Sequence, residues 1–471
     1  METILTEYSF KDKLVELFYE NKKSNFKADI PYLSKLRQEA MHEFERIGFP
    51  SNKHEKWRST NLSKPLTLEY VQHFEPFEKN VDVGKMFSCE VHQLESYLFT
   101  QLNGWFVHEN GGLNHLPGGV IVGSLASAFV KYPDIIEKHY GKYASFKNNG
   151  LIALNTAFAQ DGLFVYVPDN VVVDKPVQII NLINLTENLF IQPRNLVILG
   201  KNSKLQLLYC DHSLLHKHSL INSVTEVYID ENAVFENYKL QNKDNDSTLI
   251  TNAWITQKSN SSMVTNMLTL NPGIVRNNIA VTLDGQNCSA DLYGLYLVDK
   301  EQHVDNHIVV DHAQPNNYSN QLFKGILDDQ ATGVFNGHIL VRKDAQKTNA
   351  FQKNQNILLT DKATIDSNPQ LEIYADDVKC SHGSTVGQLD AEAMFYMRSR
   401  GIAEDVARMA LMNAFAAAII DKINIEPLRT RINELVSKRL RGELSICDQC
   451  ILDCREGRKY SFDIDMNRLK T

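Results

Sequence analysis

The apolar positions divide the chain into three textures. Over roughly the first 60 residues they recur at helical spacing, with Leu33, Leu36, Ala40, Phe44 and Ile47 on one face. Asp29 is placed to cap this helix, Pro31 suits its first turn, and Gly48 and Pro50 stop it. The stretch up to about residue 115 is mixed. From about Gly118 to Cys380 the pattern shortens. Runs such as GVIVGSL, NLVILG, TEVYI, IAVTL, GHILV and LEIY follow one another, separated by Asn, Asp, Gly, Ser and Lys turns. No long amphipathic pattern intervenes, which predicts many short strands and argues against βαβ units. After Gly387 helical spacing returns. LDAEAMFYMRSRG predicts a helix ending at Gly401. Residues 403–421 carry Val406, Ala407, Ala410, Leu411, Ala414, Phe415 and Ala418 as one stripe, and Pro427 opens a third helix running through Arg441.

A loose repeat runs through the strand-rich part. KNSKLQLLYC, ENAVFENYKL, SNSSMVTNML and GQNCSADLYG begin near 201, 231, 259 and 285; DDQATGVFNG and TDKATIDSNP begin near 328 and 360. Most intervals are close to 30 residues, with one longer gap. Each piece is a polar turn, a small residue and then alternating apolar residues. A β-solenoid, each coil stacked on the last, shows this recurrence. A large β-sandwich, whose turns also recur, is the competing reading.

Composition narrows the class. With 471 residues, 43% of them apolar, the chain can bury a large core, and its net charge of −8 argues against nucleic-acid or acidic-membrane partners. The longest apolar run, around Ala414–Ile420, is far below the ~20 residues that span a bilayer. The N-terminal stretch lacks a basic segment followed by an apolar one, so the expected location is the cytosol. Four of the seven cysteines, Cys89, Cys210, Cys288 and Cys380, are scattered. Cys447, Cys450 and Cys454 cluster.

The chain has no G-x-x-x-x-G-K-[ST] loop, no G-x-G-x-x-G opening a helix and no G-x-S-x-G elbow. An energy-driven role would need an ATPase partner. Three constellations carry ligand chemistry. His303, Asp305 and His307 share a strand face, as a two-His-one-carboxylate iron site would require, but one straight strand rarely converges on one ion, and a solvated face is the plainer reading. Cys380 and His382, two residues apart, are ordinary ligands for soft metals, yet two ligands close no site. A buried thiol beside a hydrogen-bonded histidine at a domain joint is the plainer reading of the pair. Cys447-x-x-Cys450-x-x-x-Cys454 offers three thiolates with no evident fourth ligand, on what reads as a charged tail.

The stretch PQLEIYADDVKCSHGSTVGQLDAEAMFYMRSRGI, residues 369–402, resembles the hallmark of the SufB/SufD family of iron–sulfur cluster assembly scaffolds, in its SufD-type branch. The likeness continues through 319–363, FKNNGLIALNTAFAQDGLFVYVP at 146–168, LPGGVIVGSL at 116–125 and HEKWRSTNL at 54–62. It implies a mainly β protein, with a right-handed parallel β-helix core flanked by N- and C-terminal helical regions. On that basis we divide the chain into a helical and mixed region (1–115), the β-helix core (116–385), a docking region (386–445) and a tail (446–471). The resemblance further implies a scaffold rather than an enzyme. It would pair with a SufB-like subunit, or with a second copy when isolated, and bind a SufC-like ABC ATPase through helices 389–441, whose apolar stripes form a core of their own. A transient iron–sulfur cluster would be built at the heterodimer interface, with none held tightly by the isolated chain. His382 matches the family's interfacial histidine and Cys380 the neighbouring cysteine. Gln352, Lys353 and Asn354 stand where SufB-type chains carry a cysteine, which favours the SufD type. A β-helix polysaccharide enzyme is the alternative from another class.

Overall fold

A computed structural model describes residues 7–25, 30–76, 94–107, 112–184, 186–213, 217–271 and 273–442. From Lys204 onward the chain alternates between two sheets, and each strand pairs in parallel with the next but one. The first sheet takes the strands Lys204–Ser213, Val234–Asn242, Ser262–Asn271, Ser289–Val298, Tyr318–Leu327, Asn349–Leu358 and Lys379–Gly387. The second takes Ser219–Ile229, Ser247–Gln257, Ile274–Leu283, His303–His312, Thr332–Val341 and Thr364–Ile373. The result is a mainly β protein, a parallel β-solenoid of about eight turns with helices at both ends of the sequence. Of the two architectures compatible with the repeat, it is the solenoid.

The turns explain the repeat. Asn202, Asn232, Asn260, Asn287 and Asn316, each just ahead of a first-sheet strand, have φ of 56–62°. Asparagine tolerates this left-handed conformation better than other non-glycine residues. Stacked coils also join these side chains: Asn202 donates to Asn170 Oδ1 at 2.8 Å, Asn232 to Asn202 at 2.9 Å and Asn287 to Asn260 at 3.1 Å. The residue after each Asn is small or compact and fully enclosed, as at Ser203, Ala233, Ser261, Cys288 and Asn317. The pieces read from the sequence at 328 and 360 belong to a different series, the turns entering the second sheet at Thr332 and Thr364. The longer gap is the jump from one series to the other.

Strand alternation fills the lumen. Leu205, Phe235, Met263 and Ala290 on one sheet meet Val227, Ile255, Val281 and Val310 on the other in one continuous core. At the start of the solenoid, short antiparallel strands Leu113–Leu116, Val120–Ser124 and Leu163–Val167 close the second sheet. Between them lie three short helices, Leu125–Lys131, Pro133–His139 and Gly150–Phe158, in a stretch whose pattern reads as strand-rich. Two of these begin on side-chain caps, Ser124 and Asn149. The helix Pro31–Ile47 forms as its periodicity predicts, but the cap position is Ile30, which makes no side-chain bond; Asp29 lies outside the described residues.

The C-terminal helices Ala391–Ser399, Glu404–Ile420 and Glu426–Leu440 match their predicted positions. Their packing differs. Met412, Ala416, Ile419, Leu428, Ile432 and Val436 lie on the outer face of the first sheet, against Leu240, Leu268, Leu295 and Ile326. They share a core with the solenoid instead of forming their own. The buried stripe of Glu404–Ile420 is Ala407, Arg408, Met412, Ala416, Ile419 and Ile420. Val406, Ala410 and Ala414, expected inside, face solvent. Polar pins fix the arrangement. Arg439 donates to Leu270 O at 2.7 Å and to Asp299 at 3.0 Å, Asn266 donates to Ile419 O at 3.1 Å, and Lys324 donates to Phe415 O at 3.1 Å. Among the described residues no helix is long and apolar enough to cross a membrane.

Candidate functional site

Both sheets end on strands paired along one edge only. Lys379–Gly387 pairs with Asn349–Leu358, and Thr364–Ile373 pairs with Thr332–Val341; no described strand continues either sheet. A row of backbone N–H and C=O groups is therefore presented twice, side by side. The alternation that buries every other residue in earlier coils runs on here with nothing above it. Ile373, Tyr374 and Val386 are 39%, 60% and 50% exposed. The two edge strands are tied across the lumen by Ser384 Oγ, which donates to Ser367 Oγ at 2.8 Å. Ser367 donates in turn to Asn354 Oδ1 at 2.8 Å.

Cys380 and His382 both lie on this end, on the lumen side of Lys379–Gly387, in register with Ala350 and Gln352. Their environments differ. Cys380 is half-buried against Ile339, Val341, Ala345, Ala350 and Ala375. Burial pushes its thiol pKa up, against a backbone hydrogen bond from Ala350 that lowers it. His382 is exposed, and its imidazole has no partner among the described residues. No group of three His, Cys, Asp or Glu side chains among the described residues is placed to hold a metal ion. An ion at His382 thus needs ligands from elsewhere.

His303, Asp305 and His307 do share a face, but their side chains serve a clamp. Asp305 Oδ2 receives Arg276 Nη1 at 2.5 Å and the Thr60 hydroxyl, and Oδ1 lies 3.1 Å from His307 Nε2. His303 Nε2 pairs with Thr60 Oγ1 at 3.0 Å. Arg276 also donates to Lys56 O at 2.7 Å and stacks 3.8 Å from the Trp57 ring. Burial alone would raise the Asp305 pKa. The His307 hydrogen bond and the Arg276 charge outweigh it and hold the carboxyl below its ordinary value. These residues fasten the segment around 56–60 to the second sheet.

A second surface adjoins the open end. Asp390 caps Ala391–Ser399 by accepting from Glu392 N and Ala393 N at 2.9 and 3.1 Å. No residue of that helix is buried. Phe395 and Tyr396 are 75% and 61% exposed, beside exposed Ile402 and Val406. The adjacent aromatics in EAMFYMRS were the available sequence signal: an exposed helix with large rings on its outer side has unfilled contacts. The roles of Ser367, Ser384 and Gln352 left no such signal, because they depend on strand register. Cys447, Cys450 and Cys454 lie outside the described residues.

Solenoid, open end and flanking helices together define a scaffold-like architecture, with chemistry-bearing side chains gathered at one end. Residues 182–415 match the model of the SUF system FeS cluster assembly SufBD core domain, and residues 8–179 match the SufBD protein N-terminal region. An iron–sulfur cluster assembly SufBD family protein of Synechocystis is 30% identical over 412 residues, covering 86% of this chain and 90% of that protein. The iron–sulfur cluster assembly protein SufD of Escherichia coli is 39% identical over 173 residues, 37% of this chain and 41% of that protein. SufD of Bacillus subtilis is 24% identical over 417 residues, 87% and 94% of the two chains. The chain belongs to the SufBD family of SUF iron–sulfur cluster assembly proteins. Its role is in that assembly, as a scaffold component.

Proposed function

We propose that this chain is the SufD-type half of a two-subunit scaffold. Its open solenoid end pairs with a SufB-like subunit, its C-terminal helices dock a SufC-like ATPase, and His382 contributes one ligand to a cluster assembled across the junction. The observation that carries this reading is the coincidence of two unpaired strand edges with an exposed, unpartnered imidazole between them. Open edges extend a sheet onto a partner through main-chain hydrogen bonds. Exposed Ile373 and Val386 supply the apolar contact that such a junction buries.

The chemistry follows from the two side chains. A neutral imidazole is an ordinary iron ligand, weaker than a thiolate, and one histidine leaves the remaining positions to the partner. Cargo held this way can leave. Cys380 is the less suited of the pair, because its apolar surroundings disfavour the thiolate that would bind iron. Exposed Phe395, Tyr396, Ile402 and Val406 fit the ATPase-docking role, since aromatic anchors dominate protein interfaces. ATP hydrolysis then belongs to the docked subunit, and the cluster is cargo of the complex, not a resident group of this chain. In isolation the same open edges suit a second copy of the chain.

The test is reconstitution with SufB-like and SufC-like partners under anaerobic conditions. His382→Ala should leave the complex assembled and lower its cluster content. Unchanged cluster content removes His382 from the site. Deletion of 389–471 should abolish ATPase binding, and persistent binding refutes the docking assignment.

A further inference from the structure

The lumen beneath the open end is lined with amides. Gln321, Gln352 and His382 are direct register partners on three successive strands of the first sheet, so they project to the same side. Gln352 is buried, and its Nε2 donates to Gln321 Oε1 at 2.8 Å. That bond sets the orientation of the amide and leaves Oε1 as the free atom. Gln352 Oε1 is buried without a hydrogen-bond partner among the described residues, a costly condition for a carbonyl oxygen. Room for the amide comes from Gly337 on the opposite sheet, where a Cβ would stand 2.0 Å from Gln352 Nε2. One strand beyond Gln352, about 5 Å away across the ladder, stands His382 with an unpartnered ring.

We infer that the His382 ring, which makes no hydrogen bond among the described residues, turns about its side-chain torsions to donate one ring N–H to Gln352 Oε1 on the neighbouring strand. The inference rests on the reading of His382 as an iron ligand. A neutral imidazole carries one N–H and one lone pair. Holding the N–H on a buried carbonyl fixes the tautomer and turns the bare nitrogen toward the open end, where a ligand must point. Gln352 touches no iron; it is a positioning residue. Gln321 holds the amide that holds the ring.

The tautomer is measured directly, with no iron present. The full chain is labelled with 15N-histidine, His382 is assigned by the resonances lost in His382→Ala, and the 15N shifts of its two ring nitrogens are compared between variants at one fixed pH. In the unmodified chain one tautomer should dominate by roughly tenfold, the effect of one ordinary hydrogen bond. In Gln352→Met, of similar shape but without the amide, the ratio should relax to a mixture while the rest of the spectrum is retained. Gln321→Met should move it part of the way, and it carries the test if Gln352→Met does not fold. An unchanged ratio in the folded variant overturns the inference, whatever happens to stability. Such a failure leaves the role of His382 untouched, because cluster content in the reconstituted complex reports on that separately.

Discussion

The clamp formed by Thr60, Arg276 and Asp305 makes a quantitative prediction about how the N-terminal region is attached. Asp305→Ala removes the carboxylate facing an Arg276 guanidinium that is 2% exposed. Breaking one partner of a buried ion pair costs about 3–5 kcal/mol, because the remaining charge is left uncompensated. Arg276→Met also loses the Lys56 carbonyl bond and the Trp57 stacking, so it should be no milder. The two act as a unit, and the double variant should fall short of additivity by about 1–3 kcal/mol. A solenoid need not unfold in one step, so the assay is local: hydrogen exchange of peptides covering 55–66, compared with peptides from the strands. Loss of protection should concentrate in the first set. The acid side gives an independent check. The Asp305 pKa is depressed in the folded chain, so its contribution is complete above the unfolded value of 3.8 and is lost as pH falls through the lower folded value. Protection of 55–66 should hold at neutral pH and decay below about pH 4, and Asp305→Asn should flatten that decay. Additivity within about 0.5 kcal/mol, or unchanged exchange in 55–66, refutes the clamp.

Phe395→Glu should weaken ATPase docking by about thirtyfold, the effect of losing an aromatic anchor worth ~2 kcal/mol, with circular dichroism unchanged; titration calorimetry checks it. Val386→Lys on the open edge should block pairing with the SufB-like partner, seen as a shift to the smaller species by light scattering, without unfolding the chain. Arg439→Met should leave Asp299 buried and unpaired and destabilise the attachment of Glu426–Leu440 by about 3–5 kcal/mol, read by exchange in that helix. Burial lowers the His312 pKa from 6.5 to about 4. Its contribution is therefore full above pH 6.5 and declines toward pH 4, by on the order of 3 kcal/mol. Denaturant titrations of His312→Gln, which keeps a partner for Ser319, should show a flatter slope in that window.

The coil repeat was legible because each turn needs a residue that accepts positive φ and a compact one after it, and Asn202-Ser203, Asn232-Ala233 and Asn260-Ser261 spell this out. Which sheet each turn enters was not legible, since both series look polar. The helix Glu404–Ile420 shows why stripe prediction misled: alanines occur all round it, so the buried side is chosen by the large residues Met412 and Ile419 meeting the sheet. His303, Asp305 and His307 were correctly read as one face. Thr60, which bonds His303 and Asp305, and Lys56, which bonds the neighbouring Arg276, are more than 200 residues away in sequence, and only the fold brings them together. For Cys380 and His382, spacing could not distinguish a thiol turned into an apolar cluster from a ring left bare at an edge. Strand register makes that distinction, and it also places Gln352 beside His382.

In the function proposed above, the open solenoid end becomes a cluster-building site when a partner covers it. The most direct measurement is iron and acid-labile sulfide per complex, after anaerobic reconstitution of this chain and its His382→Ala variant with SufB-like and SufC-like subunits. The two complexes should have the same mass, with a substantially lower cluster content in the variant. Equal cluster content in two intact complexes contradicts a cluster-building role for this end.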